Sequence, residues 1–386
     1  MNPFVGQTER ELAGAVADWA SSKGVTERIP AAEKEGALPR DLIAELGIRR
    51  LGVLGMTIPE ADGGLGASAV AFALVLEELS AAWPSLAVGV AVNSGIVAGS
   101  IVRHGTAQQR KRWLPKLMDG TGLGAFALTE ATSGSDAASL RMTARREGSG
   151  WRIDGQKQFI TNARYAPLAI VLARVGEFDA ERTSAGITAF VVPLDAPGVS
   201  IGPSERKMGL RASDTSALIL EDARVGGDAM LGEAGKGFAI AMFGLDGGRI
   251  GIAAQSVGIA RRALELARAY SKERKQFGRP IADFEGLRFR LAKADSDLEA
   301  ARLLALRAAW LRDRGRPFTR EAAMAKLYAS EMAQRATHTA VQLLGGNGYM
   351  RDYAVERYAR DGRATTIYEG TSEIQRIVIA RSLLAA

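Results

Sequence analysis

The run Ile367-Tyr368-Glu369-Gly370-Thr371-Ser372-Glu373-Ile374-Gln375 carries two carboxylates four residues apart. A helix is expected from about Ser372 to Leu384, which puts Glu373 in its first turn, where the helix dipole favours negative charge. Glu373 therefore has a structural task. Glu369 stands outside that helix beside a glycine and has none, so it is the carboxylate free to accept a proton.

Four further segments are rich in residues that meet ligands. Phe126-Ala127-Leu128-Thr129-Glu130, continuing through Ala131-Thr132-Ser133-Gly134-Ser135-Asp136, offers small residues for close backbone approach together with hydroxyl and N–H donors. Phe159-Ile160-Thr161-Asn162 sets an aromatic beside a hydroxyl, a pair that can stack on and hydrogen-bond a planar ring. Arg274-Lys275-Gln276-Phe277-Gly278-Arg279-Pro280 is a basic break between helices, suited to phosphate. Gln342-Leu343-Leu344-Gly345-Gly346-Asn347-Gly348-Tyr349 places three glycines within four residues. Taken singly, each has a plain structural reading: a polar loop, a strand end, a charged connection, a glycine cap.

The chain has no cysteine and two histidines, His104 and His338, in no ligand-like spacing. Thiolate chemistry is excluded and a metal is not expected, so redox work would fall to an organic cofactor. The net charge of +7 is dispersed along the chain, which suits a polyanionic small ligand or solvated helix faces better than nucleic acid. Met1 to Leu12 lacks a signal-peptide pattern and no apolar run of membrane-spanning length is evident, so a soluble cytoplasmic protein is expected.

The elements that must position these residues fall into three blocks, within a length that fits two or three packed units. Helical spacing marks Asp41–Leu46, Ala69–Leu79 and Gln108–Met118, with Pro59–Gly66 as a loop. From Gly122 to about Asp222 the apolar runs are short and β-branched. Asp154-Gly155 predicts a tight hairpin, Ile187–Val192 and Ala217–Leu220 predict strands, and Pro197-Gly198 predicts a turn. Long helices are expected over Ile250–Lys272, Leu287–Arg314 and Thr319–Leu344, with Thr319 as N-cap and Gly345-Gly346 as the stop.

In this order the five segments resemble the acyl-CoA dehydrogenase family, closest to its short-chain members. Asp246-Gly247-Gly248-Arg249-Ile250-Gly251-Ile252-Ala253 and Gly209-Leu210-Arg211-Ala212-Ser213-Asp214-Thr215 join the resemblance, which covers nearly the whole chain. The C-terminal Tyr-Glu-Gly-Thr-Ser-Glu-Ile-Gln run is its most specific part. The implied fold is α+β: an N-terminal helical domain (1–121), a middle β-barrel-like domain (122–232) and a C-terminal four-helix bundle (233–386).

The resemblance implies FAD between the β domain and the bundle. Phe126, Ala127, Leu128, Thr129, Gly134 and Ser135 would line the flavin; Phe159, Ile160 and Thr161 would cover its ring, with Thr161 beside N5. Arg274 and Phe277, with Gln342, Leu343, Gly345 and Gly346, would hold the nucleotide end from a neighbouring subunit. Thr371, Ser372 and Glu373 would hold the dinucleotide on the first side. Ser135, Asp246, Arg249 and Gly370 would contact the acyl-CoA. Glu369 would take the α-proton while hydride leaves the β-carbon for the flavin. The product would be the trans-2-enoyl-CoA of a short straight or branched chain. Electron-transfer flavoprotein would collect the electrons, and the assembly would be a homotetramer, a dimer of dimers.

Some branched-chain members carry the base on an earlier helix, at the position of Gly248; here that position is glycine, so the loop base is favoured. The pattern departs from the family at three points. Ala131 stands in place of a common proline, Phe159 in place of tryptophan, and Glu285 in place of a glutamine that contacts FAD. An oxygen-using relative and the DNA-binding branch of the superfamily are the competing readings. The intact Glu-Gly-Thr-Ser loop argues against the first. The lack of an added basic C-terminal domain argues against the second.

Overall fold

The computed structural model describes residues 3–385. Its first block holds α1 (Gln7–Ser21), α2 (Ala69–Ala82), α3 (Pro84–His104) and α4 (Ala107–Met118), with short helices between α1 and α2. Polar caps fix their starts. Ser68 accepts the Ala71 N–H at 3.0 Å, and Thr106 with Gln109 forms a reciprocal capping box. The Asp313 carboxylate accepts the Ala69 and Val70 N–H groups at 2.6 and 3.1 Å, tying the first helical block to the last.

Eight strands follow: β1 (Ala125–Ala127), β2 (Thr143–Glu147), β3 (Gly150–Thr161), β4 (Leu168–Val175), β5 (Ile187–Pro193), β6 (Val199–Ser204), β7 (Thr215–Val225) and β8 (Met230–Leu231). The sheet order is β6-β7-β3-β2-β4-β5-β8, with β1 also on β4. β4 shows why its apolar run is continuous. Leu168, Ile170 and Leu172 pack on the helical side, while Ala169, Val171 and Ala173 face the sheet's own core with Trp151, Ile160, Phe190 and Leu220. A strand buried on both faces keeps its period of two but loses its polar partner positions.

β1 and β2 both pair parallel with β4, β1 against Ala169–Val171 and β2 against Arg174 and Val175. The segment 128–142 therefore leaves the sheet and returns to the same flank of one strand.

The last block is α5 (Gly237–Glu273), α6 (Glu285–Asp313), α7 (Thr319–Leu344), α8 (Val355–Arg363) and α9 (Ser372–Leu384). Helix α5 begins at Gly237, near the start of the expected C-terminal block, and extends the Ile250–Lys272 segment thirteen residues back through the glycine-rich stretch 244–251. Glycine is costly inside an exposed helix. Here, however, Gly244, Gly248 and Gly251 face α3 and α2, where added Cβ atoms would press on Ile96 and Leu76. Close helix packing overrides propensity. Within α3 the turn widens to π geometry over Ala91–Ala98, the segment that meets α5.

Three expectations need correction. Asp154-Gly155 is not the hairpin turn: β3 runs through it, and the β2–β3 turn lies at Gly148-Ser149. The dipeptide instead makes a β-bulge against β7, with Gly155 at φ 142° pressed on Met142 and Asp154 accepting the Asp222 N–H at 2.7 Å. Thr319 is the first helical residue and not the cap, because its hydroxyl donates to Asp246 at 2.5 Å. Finally, α3 and α5 are long and apolar enough to cross a membrane, yet 83% and 67% of their apolar windows are buried inside the fold. Both are core helices.

Candidate active site

Glu369 sits on the loop between α8 and α9. It and Gly370 are both left-handed, at φ 53° and 89°. For a glutamate that conformation costs about 1–3 kcal/mol, so surrounding contacts must impose it. Gln375 Nε2 donates to the carbonyls of Glu369 and Gly370 at 3.2 and 2.8 Å, and Lys326 Nζ donates to Gly370 O at 2.7 Å. Gln375 and Lys326 are fully buried. A hydrogen bond from a charged donor contributes about 1.5–3 kcal/mol, enough to offset the strain. Tyr368 OH donates to Gln255 Oε1 on α5 at 2.5 Å, fixing the loop's other end.

Both Glu369 carboxylate oxygens are buried, and neither has a hydrogen-bond partner among the described residues. Such orphaned acceptors are rare in folded proteins and call for a functional reason. Burial pushes the carboxyl up to about 7, opposed by the positive charges of Lys326 and Arg249. The group can thus exchange a proton near neutrality. Its walls are Gly248 and Ile96: a Cβ built on Gly248 would collide with Glu369 Oε2 and lie 3.1 Å from Ile96 Cδ1. The backbone N–H of Glu369 donates to no described group, so it too is available.

Flanking Gly248 on α5, Asp246 and Arg249 form a largely buried ion pair. Burial raises the carboxyl and lowers the guanidinium, and each partner restrains the other's shift. Thr319 closes the pair from α7.

On the sheet side, Phe126 and Thr129 are half-buried, while Gly134 and Ser135 are exposed on the 128–142 loop. Phe126 borders the apolar core that also takes Leu245, the residue before Asp246, so this edge and the start of α5 are neighbours. Phe159 adopts φ 58° where β3 slips register against β7, and the residue is 59% exposed. The bulge turns the aromatic out of the sheet. Ile160 stays in the sheet's core, and Thr161 is half-buried. Asn162, next in line at φ 68°, anchors this end by donating to Gly89 O and Gly124 O, both at 3.0 Å.

Two residues absent from the expected set hold this edge in place. Lys157, fully buried, donates to Leu128 O at 3.0 Å and to Glu130 Oε1 at 2.8 Å. Glu130 accepts the Arg141 and Met142 N–H groups at 2.6 and 2.9 Å, which closes the loop at its base. Burial works against the Glu130 charge, but Lys157 and the two N–H groups outweigh it and hold the carboxyl below the ordinary range. Burial lowers Lys157 to about 8. The sequence carries the signal: a lysine among strand residues whose neighbours at period two are apolar, and a glutamate at the start of a Ser/Thr-rich loop. Pairing them required the sheet.

The remaining candidates form a separate group. Arg274 follows the end of α5, 25 residues beyond Arg249, or about 37 Å along a helix axis. Phe277 lies on the adjoining turn with 93% of its surface exposed. Gln342, Gly345 and Gly346 are exposed at the end of α7, and Leu343 is buried beneath them. Asn347 donates to Tyr270 OH at 3.0 Å, which brings this end to the same end of α5. By contrast, Gly370, Thr371, Ser372 and Glu373 adjoin Glu369. Thr371 caps α9 by accepting the Ile374 N–H, Ser372 Oγ is buried with no partner among the described residues, and Glu373 lies exposed in the first turn as expected.

The β-sheet carries an outward-turned aromatic at the end of β3, and the helical block buries a carboxylate without a partner among the described residues. Together they offer an aromatic cover and a general base to a bound organic ligand. Family models agree along the chain: the acyl-CoA dehydrogenase N-terminal, middle and C-terminal domains match residues 6–121, 125–223 and 235–384. The chain belongs to the acyl-CoA dehydrogenase family, whose enzymes are FAD-dependent oxidoreductases.

The mouse mitochondrial short-chain specific acyl-CoA dehydrogenase is 46% identical over 91% of this chain and 84% of its own length. The solved butyryl-CoA dehydrogenase of Megasphaera elsdenii superposes with TM-score 0.94 at 39% identity, covering 98% of this chain and 99% of that one. A chain solved in work on the electron transferring flavoprotein of Acidaminococcus fermentans gives TM-score 0.96 at 39% identity, with both chains covered fully.

The residues present fit FAD. The exposed Phe159 ring can cover a planar system. The hydroxyls of Thr129 and Thr161 bond to no described residue, and a Cβ at Gly134 would meet nothing within 4 Å.

Proposed function

We propose that this enzyme dehydrogenates a short-chain acyl-CoA, straight or branched, to the trans-2-enoyl-CoA, with Glu369 removing the α-proton. The observation that carries this reading is the Glu369 carboxylate: buried, without a hydrogen-bond partner among the described residues, and poised near neutrality. Bound FAD supplies the hydride acceptor for the β-carbon.

Everything else falls to the protein. A thioester α-carbon is a weak acid, so charge developing on its carbonyl oxygen must be met by donors. The free Glu369 N–H is one, and such a donor is worth about 2.7–4 kcal/mol. Asp246, Arg249, Gly370 and Ser135 are assigned to the acyl-CoA. Phe126 to Thr129, Gly134, Ser135, Phe159 to Thr161 and Thr371 to Glu373 are assigned to the cofactor of the same chain.

Arg274, Phe277, Gln342, Leu343, Gly345 and Gly346 lie too far from Glu369 to share its flavin ring. They are assigned to the nucleotide end of a neighbouring subunit's FAD, within a homotetramer. The short-chain preference follows the names of the mouse and Megasphaera relatives. Electron-transfer flavoprotein as acceptor follows the Acidaminococcus work.

Anaerobic flavin bleaching against acyl-CoAs of graded length tests the reading, with fastest bleaching expected at the four-carbon thioester. Glu369→Gln should keep its yellow FAD and bleach at least ~1,000-fold more slowly, since it loses the base altogether. Near-normal bleaching by that variant would place the base elsewhere. Fast reoxidation of the reduced flavin by air would favour an oxidase.

A further inference from the structure

Lys326 is a fully buried lysine in the third turn of α7, with a single hydrogen bond among the described residues, to Gly370 O. It takes part in no ion pair among the described residues, which is unusual for a charge taken out of water. Four charged groups act on it: Glu369 and Glu373 from the loop and α9, Arg249 from α5, and Glu331 one turn on in α7. Arg249 is committed to Asp246, and Arg376 takes up Glu331 and Glu373. Glu369 is left as the one carboxylate in this set without a cationic partner of its own.

We propose that Lys326 is a positioning residue for Glu369: its ammonium clamps the left-handed Gly370 carbonyl and supplies the positive field that keeps the base ionised. The inference rests on the reading of Glu369 as base. Geometry assigns two jobs to one group. Gln375 already binds both loop carbonyls with a neutral amide, so shape alone does not require a charge at 326. The charge is what Gln375 cannot supply. With Lys326 protonated, the buried carboxylate stays available against the opposing effect of burial, and Arg249 adds to the field from α5. Tyr368, held neutral beside the site, adds no charge of its own.

The test compares Lys326→Gln and Lys326→Arg with the parent holoenzyme in the pH dependence of anaerobic flavin bleaching. Lys326→Gln can still donate to Gly370 O but carries no charge. Its acid limb should move up by about one pH unit, with roughly ten-fold slower bleaching below pH 7 and the parent's rate approached above pH 9. Lys326→Arg should keep the parent's limb. An unmoved limb in a Lys326→Gln variant with full FAD content overturns the proposal and leaves Lys326 as packing.

Should Lys326→Gln fail to fold, Lys326→Arg decides: a parent-like limb supports the role of charge, and a shifted one refutes it. Glu369→Gln run alongside separates the two readings. If that variant bleaches, the base assignment fails; if it is inert while Lys326→Gln is unshifted, only this proposal does.

Discussion

The Glu369 carboxylate fills the space that any side chain at Gly248 would take. One residue is on a loop before α9 and the other on α5, yet both address one point. A base can be delivered there from either element, but not from both.

Gly248→Ala tests that exclusion. The added methyl would lie 2.9 Å from Glu369 Cδ and 3.1 Å from Ile96 Cδ1, tighter than ordinary contact. Displacing the carboxylate by about 1 Å should cost roughly 100-fold in kcat with FAD retained. Stopped-flow reduction by butyryl-CoA would show it, and a rate within two-fold of the parent would refute the crowding.

The pH profile follows from the raised Glu369 carboxyl. As a base it must be ionised, so kcat/KM should fall as pH drops through about 7, well above the ordinary glutamate range. Stability runs the other way. A carboxyl raised on folding is neutral in both states below about 4.5, and its burial becomes costly as pH rises from there through about 7. At pH 8 the cost is about 3 kcal/mol. The Tm advantage of Glu369→Gln over the parent should therefore be larger at pH 8 than at pH 5.

Lys157→Met tests the support under the 128–142 loop. It leaves the buried Glu130 charge without its cation, which typically costs about 3–5 kcal/mol. Urea midpoints should drop accordingly, and FAD should dissociate more readily on gel filtration, because the loop expected to line the flavin loses its brace. An unchanged midpoint would show that the two N–H groups on Glu130 suffice.

Phe159→Ala should separate binding from folding. With the residue 59% exposed, the ring adds little to the fold, so the apoprotein's Tm should shift by less than about 2 °C. FAD affinity should fall about ten-fold, in line with loss of an aromatic cover. Equal FAD retention in parent and variant would remove Phe159 from the site.

Much of this was readable in advance where one element suffices. Glu369 and Glu373 separated cleanly because a helix start explains one and not the other, and α7 and α9 fall where periodicity put them. Asp154-Gly155 misled because a bulge and a turn call for the same residues; only pairing with β7 decides between them. The glycines at the start of α5 carry no local helix signal, and their reason lies in the room that Ile96 and Leu76 need. Lys157 with Glu130, and Lys326 with Gly370, join residues 27 and 44 positions apart, a separation no local pattern encodes.

Helix α5 runs unbroken for 37 residues, from the half that packs against Glu369 to the Arg274 turn. On the proposed assignment its two ends serve the flavins of different subunits, so each subunit contributes half of two sites. Holoenzyme formation then obeys mass action in protein as well as in FAD. Dilution below the subunit dissociation constant should release cofactor even when free FAD is held constant, and apparent FAD affinity should rise with enzyme concentration.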